Sequence, residues 1–269
     1  MNKLSVLFVI AACAALGQDS PPDRVNVPFS DPSRPKMLKA SVLNGSIFVK
    51  GYDGKEAIVE ARGEGSKHRR NERADGMRRI DIGGSGLSVE ESDNVITVGT
   101  RSMNENVEIN IQVPFNTSLK LHDVNGGEVS VDHIVGDVEI DVTNGKATAT
   151  HISGSAIVHA LNDRVLVTLD KITADKPMSF SSLNGDIDVT LPPDLKAKVK
   201  LKSDNGAVYS DFDIQVDASS RKPIVEDSSS GHGKYRVQFD RATYGLINGG
   251  GPELQLTTFN GNIYIRKAK

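Results

Sequence analysis

The chain has no tryptophan, and aromatic residues make up only 5% of its 269 positions. Sugar-binding clefts and protein hot spots lean on Trp and Tyr, so the shortage counts against a deep aromatic site. There is one cysteine, Cys13, which excludes an intrachain disulfide. An excess of one charge is missing too: 32 Lys and Arg stand against 35 Asp and Glu, for a formal net charge of −3. That balance lacks the electrostatic footprint of a nucleic-acid binder, and no nucleic-acid partner is expected. No run has the spacing of an amphipathic helix. No Gly-x-x-x-x-Gly-Lys, His-Glu-x-x-His or Gly-x-Gly-x-x-Gly motif is present. Gly83-Gly84-Ser85-Gly86 lacks both the spacing and the strand-to-helix context of a nucleophile elbow. What remains is a chain rich in Val, Ile, Thr and Gly, a mix that favours strands and turns.

The N-terminus reads as an address. Met1-Asn2-Lys3 carries one positive charge, and Leu4 to Leu16 is continuously apolar or small over 13 residues. That is too short to span a bilayer as a helix and fits the apolar region of a secretory signal. Cleavage is expected after Gly17, giving a signal peptide at 1–17 and a polar linker at 18–35. Ile10-Ala11-Ala12-Cys13 also resembles a bacterial lipobox, so lipidation of Cys13 stands as the other route. Either way the mature chain would be exported and have no transmembrane span, and it would be lipid-anchored only by the second route. Its location would be the periplasm, the outer membrane or the cell surface.

Asn-Gly pairs recur along the rest of the chain. They fall at Asn44-Gly45, Asn125-Gly126, Asn144-Gly145, Asn184-Gly185, Asn205-Gly206 and Asn260-Gly261, and Asn162-Asp163 joins the series. Alternating apolar residues follow each: Val129 and Val131, Ala147 and Ala149, Val165 and Val167, Ile187 and Val189. A half-step turn at Gly136 and Gly154 precedes further alternating runs. One repeat is therefore strand, Gly turn, strand, Asn-Gly turn. An antiparallel meander uses Asn-Gly turns as well. A solenoid fits better, because the turn recurs at fixed register and the inward residues are small and aliphatic. The expectation is an all-β, single-stranded parallel β-helix or β-solenoid over 36–269, with coils of about 18–22 residues. Early strands are expected at Leu38 to Val49, Ala57 to Ala61, Leu87 to Val98 and Val107 to Val113. Val216 to Lys234 reads as an exposed loop, and Leu254 to Ile265 as a final strand region. Asn262-Ile263-Tyr264-Ile265 would then be an open edge, with Lys267 and Lys269 opposing its pairing with other chains.

Four stretches resemble the bacterial putative-adhesin domain family: Ser41–Val49, Ile111–Pro114, Leu183–Pro192 and Phe259–Ile265. Asn184-Gly185-Asp186-Ile187-Asp188-Val189-Thr190-Leu191-Pro192 is the most specific of them. The resemblance implies a right-handed β-helix-like fold, export, and no catalytic or cofactor residues to carry over. The segment from Arg62 to Arg79 departs from the pattern and reads as an insertion.

The candidate sites each have a plainer reading. Lys67, Arg69, Arg70, Arg73, Arg78 and Arg79 could meet an anionic partner through phosphate contacts, or form a solvated loop that blunts a strand edge. No aromatics interleave these charges, so base stacking is not offered. His133 and His151, each three residues before a turn Gly, are expected to stack on adjacent coils about 4.8 Å apart. They could share a zinc if Asp132 and another ligand joined them; otherwise they are exposed turn residues. Asp141 and His159 suggest a separate cross-coil pair. Asp137, Glu139 and Asp141, like Asp186 and Asp188, alternate as the outward face of a strand rather than as a Ca²⁺ site. No metal, cofactor or catalytic residue is assigned.

These readings favour an exported, non-catalytic, adhesin-like binding or structural module with an unidentified envelope partner. A polysaccharide-lyase-like enzyme acting on acidic glycans is the alternative, and the missing Trp and dispersed acids weigh against it. An end-to-end assembling element is a third possibility.

Overall fold

The structure, a computed structural model, describes residues 22–64, 85–100, 106–173, 176–217, 223–227, 235–239 and 241–269. Among these residues there is no helix. Strands run in chain order as β1 (Asp23–Pro28), β2 (Lys36–Tyr52), β3 (Glu56–Glu64), β4 (Leu87–Ser92), β5 (Val95–Thr100), β6 (Asn106–Pro114) and β7 (Thr117–Ala160). They continue as β8 (Val165–Ile172), β9 (Met178–Asn184), β10 (Ile187–Leu191), β11 (Ala197–Asn205), β12 (Val208–Ser210) and β13 (Ile214–Val216). The last are β14 (Pro223–Asp227), β15 (Tyr235–Phe239), β16 (Thr243–Ile247), β17 (Glu253–Asn260) and β18 (Ile263–Lys267).

The alternation seen in sequence becomes burial. In β10, Ile187, Val189 and Leu191 are buried while Asp188 and Thr190 are only partly so. The strands form two ladders of parallel neighbours that meet at the Asn corners, and the apolar core lies between them. Inward residues stack row on row. Val158 faces Phe180, Phe180 faces Leu256, and Leu256 faces Leu201 in one ladder. In the other, Ala147 faces Val165, Val165 faces Ile187, and Ile187 faces Ile263. Each fully buried Ile, Leu or Phe contributes roughly 1.5–3 kcal/mol relative to exposure. The result is a solenoid-like stack.

The stacking order departs from chain order at both ends. The coil made by β17 and β18 lies between 178–191 and 197–210: Asn260 pairs with Asn184 on one side and Asn205 on the other. The coil made by β2 likewise lies between β6 and the start of β7, with Ile47 facing Ile109 and Val129. The step from Asn184 to Asn205 is therefore not a stacking step. β18 is not an edge either, because β10 and β12 flank it. An all-parallel helix holds only for the interior. Antiparallel strands finish the stack: β3 on β6, β1 on β3, β4 on β5, β16 on β11 and β13 on β16.

Three local readings also change. Asp23–Pro28, part of the expected linker, is β1, because Val25 and Val27 pack against the core and pair with Val59 and Ala57. Leu87 to Val98 is a hairpin rather than one strand, since Asp93 and Asn94 adopt φ of 53° and 64°, the turn form that joins twisted antiparallel strands. Part of the expected loop at 216–234 pairs instead, as β14 with β15.

The corners need close backbone approach. Gly45 has φ 145°, and a Cβ there would lie 1.9 Å from the Val107 carbonyl oxygen. Just inside the corner, two residues before the Asn, Ser182, Thr258 and Ser203 donate hydroxyls to turn carbonyls on the preceding coil. The acceptors are Asp163, Gly185 and Gly261, at 2.9, 3.0 and 2.8 Å. Asp123 occupies the equivalent position, fully buried, with neither carboxyl oxygen hydrogen-bonded. A Cβ on Gly126 would lie 1.6 Å from Asp123 Oδ2 and 2.2 Å from the Gly45 carbonyl oxygen, so these two oxygens are close neighbours. Burial is the dominant influence and pushes the carboxyl up to about 7. Only the protonated form has an O–H to offer Gly45, as the hydroxyls do on the other coils.

Candidate functional site

The Asn corners form a continuous amide ladder. Asn144 donates to Asn125 at 3.0 Å, Asn162 to Asn144 at 2.9 Å and Asn184 to Asn162 at 2.9 Å. Asn260 donates to Asn184 at 2.8 Å, and Asn205 to Asn260 at 3.0 Å. Asn44 extends the column by pairing its backbone with Asn125. The Gly partners Gly45, Gly126, Gly145, Gly185, Gly206 and Gly261 let the coils close up there. At Gly145, for example, a Cβ would come within 3.0 Å of the Gly126 carbonyl oxygen.

The residue before the corner Asn forms a second column that sequence reasoning missed. Leu161, Leu183 and Phe259 sit on three successive coils and are 44%, 42% and 47% exposed. Backbone bonds lock the first two together, with the Leu183 and Asn184 amides both donating to the Leu161 carbonyl. The ridge borders a shallow groove of about 460 Å³ that His159, Asp141 and Thr257 also line. Its signal was present as Leu-Asn at 161–162 and 183–184 and Phe-Asn at 259–260. A contiguous row of exposed large apolar side chains is the kind of surface that marks an interaction site.

His133 and His151 do stack, with ring centroids 4.4 Å apart and 24° between planes. Asp132 lies against both. His133 Nδ1 is 2.7 Å from Oδ2, and His151 Nδ1 is 2.9 Å from Oδ1. Thr150 donates to Oδ1 at 3.0 Å. Burial pushes Asp132 up, but the bonds from His151, His133 and Thr150 outweigh it and hold the carboxyl at about 2. The carboxylate is therefore charged throughout the physiological range.

The outward acids Asp137, Glu139, Asp141, Asp186 and Asp188 are dispersed, and each has its own partner. Asp137 meets Lys176 at 2.7 Å and accepts from Ser155, and Glu139 meets Lys120 at 2.7 Å. Asp188 is held by Arg266 at 2.7 Å, and Asp186 accepts the Asn262 amide. The expected pairing of Asp141 with His159 is not formed. Coil spacing puts Asp141 opposite His122 at 3.7 Å, and His159 bonds Ser181 instead. Tyr209 stacks on Tyr264 with centroids 5.2 Å apart, beside Arg266. Cys13 and the basic residues Lys67, Arg69, Arg70, Arg73, Arg78 and Arg79 lie outside the described residues. No described helix is long and apolar enough to cross a membrane.

Residues 116–243 match the family model described as Toastrack DUF4097. Of the four stretches that carried the family resemblance, Leu183–Pro192 falls inside that match. No curated protein matches the chain. Two solved structures are similar. One is a "putative cell adhesion protein" from Clostridium sporogenes, 14% identical over 92% of this chain and 100% of that one, with a TM-score of 0.49. The other is a "putative adhesin" from Bacteroides fragilis, 10% identical over 92% of this chain and 97% of that one, with a TM-score of 0.37.

Proposed function

We propose that this chain, whose residues 116–243 match the Toastrack family, is an exported, non-catalytic, adhesin-like binding module of the cell envelope. The ridge of Leu161, Leu183 and Phe259 carries this reading. Three large apolar side chains rise at coil spacing beside a ladder of amides, on a rigid support. That arrangement suits an extended partner lying along the stack, whose apolar groups meet the ridge and whose polar groups meet the amides. In the same reading residues 1–17 direct export, Cys13 is the lipidation site if the chain is anchored, and the winding is right-handed, as parallel crossovers favour. The basic residues between Lys67 and Arg79 supply a second contact, to an anionic group of the partner. The outward acids support a non-catalytic role, since Asp137, Glu139 and Asp188 are each neutralised by a cation from a neighbouring coil or loop.

The test is protease treatment of intact cells making a C-terminally tagged chain, for wild type and Cys13→Ala. Digestion of the wild-type tag is expected, with loss of membrane association in Cys13→Ala if the anchor is lipid. A tag protected until the outer envelope is opened would move the partner into the periplasm. A tag recovered in the cytoplasm would overturn the proposal.

A further inference from the structure

We propose that Asp132, His133 and His151 form a binding site for a divalent transition-metal ion of the zinc class. One imidazole nitrogen from each histidine and a carboxylate oxygen all lie within 4.8 Å of one another. Both histidines present the same nitrogen, Nδ1, and each faces a different oxygen of one carboxylate, at 2.7 and 2.9 Å. A tetrahedral zinc with bonds near 2.0–2.1 Å keeps its ligand atoms about 3.3 Å apart. Small side-chain rotations therefore open the room the ion needs.

The backbone holds this arrangement at a cost. His133 and His151 have φ of 57° and 53°, the left-handed region that residues with a Cβ adopt reluctantly. Glycine or asparagine would suit those turns better, yet histidine occupies both, on two adjacent coils. The shared conformation makes the two rings parallel at coil spacing. On the next coil beyond His133 the chain has Gly51, where a Cβ would lie 1.8 Å from the His133 carbonyl oxygen. The Thr150 hydroxyl on Oδ1 fixes the carboxylate, as the supporting bonds of metal sites do.

Two imidazoles and one carboxylate suit zinc, copper or nickel better than calcium or magnesium, which prefer all-oxygen sets. The side chains of both histidines are about half exposed, at 50% and 52%, so an ion can enter from solvent. Binding requires each Nδ1 to lose its proton, which neutral imidazole does by holding the proton on Nε2 instead. Three protein ligands leave a fourth position open for water or for a side chain of a partner. The site is independent of the Leu161–Leu183–Phe259 ridge.

The experiment is titration of the full chain, without a polyhistidine tag, with Zn²⁺ by calorimetry and with Co²⁺ by visible absorption. His133→Asn and His151→Asn are the variants, because asparagine tolerates the left-handed turn. One zinc per chain is expected for wild type, with a tetrahedral cobalt band and a melt raised by zinc. Each variant should melt as wild type does without metal and bind at least about tenfold more weakly. His122→Asn and His159→Asn should bind as wild type. Absence of stoichiometric zinc binding, or binding undiminished in the His133→Asn/His151→Asn double variant, overturns the proposal.

Discussion

From Thr117 to Leu191 the chain climbs the stack in order, each coil resting on the one before. At the two ends it does not. The N-terminal coil in β2 sits beneath the chain's third coil-forming segment and above its second, and the C-terminal coil in β17 and β18 sits one layer in from the last. An open-ended stack protects its ends this way. A terminal strand left on the outside would expose a row of unpaired amides and carbonyls. Slipped one layer inward, it is paired on both sides, and the layers left outside are held at both their ends by the chain. Closing longer loops costs little extra, because that entropy grows only with the logarithm of length.

The largest test of this comparison removes one coil of each kind. Truncation after Pro252 takes out the inserted coil, leaves β11 and β12 without a parallel neighbour, and leaves β9 and β10 paired on one side only, with β7 and β8. Loss of a cooperative thermal transition by circular dichroism is expected. Deletion of 144–161 joins Thr143 to Asn162 and removes one interior coil in register. That variant should keep a cooperative melt at a lower temperature. The opposite ranking would mean that the inserted coil matters less to the fold than an interior one.

A smaller effect is expected at Asp123, in the layer that meets the inserted N-terminal coil. The folded carboxyl is raised to about 7 from an ordinary 3.8, so folding takes up a proton between those values. Its contribution is complete below about pH 4 and is lost as pH rises through 7, on the order of 4 kcal/mol. Asp123→Ser, which copies Ser182 and Ser203, should be more stable than wild type at pH 8 in urea melts. It should also flatten the decline of stability between pH 4 and 7. An unchanged slope would show that Asp123 is not the group responsible.

The smallest effect compares two rungs of the amide ladder. Asn162 donates to Asn144 and accepts from Asn184, whereas the side chain of Asn205 has one rung, to Asn260. Asn162→Ala should cost about 1 kcal/mol and Asn205→Ala about half of that, as neutral exposed bonds do. Equal costs would mean that the ladder does not act rung by rung.

Sequence showed the interior well and the ends poorly, for one reason. Period and alternation report only what neighbours in sequence do. Between Asn125 and Asn184, neighbours in sequence are neighbours in space, so the corners, the inward rows and the His133–His151 stack were legible. The insertion of Phe259-Asn260-Gly261 between Asn184 and Asn205 depends on long-range pairing that no local pattern encodes. Asp93-Asn94 was a local signal of a hairpin that went unused. The Leu161–Leu183–Phe259 ridge was half hidden by the same insertion, since Phe259 joins it only once β17 is in place.

The most direct measurement is a pair of engineered cross-links in the Cys13→Ser background. Asn184→Cys with Asn260→Cys places two cysteines on adjacent parallel strands, about 5 Å apart and within reach of a disulfide. Asn184→Cys with Asn205→Cys places them two coils apart, about 10 Å, which is out of reach. Under mild oxidation the first pair should close within a monomer and the second should stay reduced. Closure of the second pair and not the first would return the coils to chain order and contradict the account.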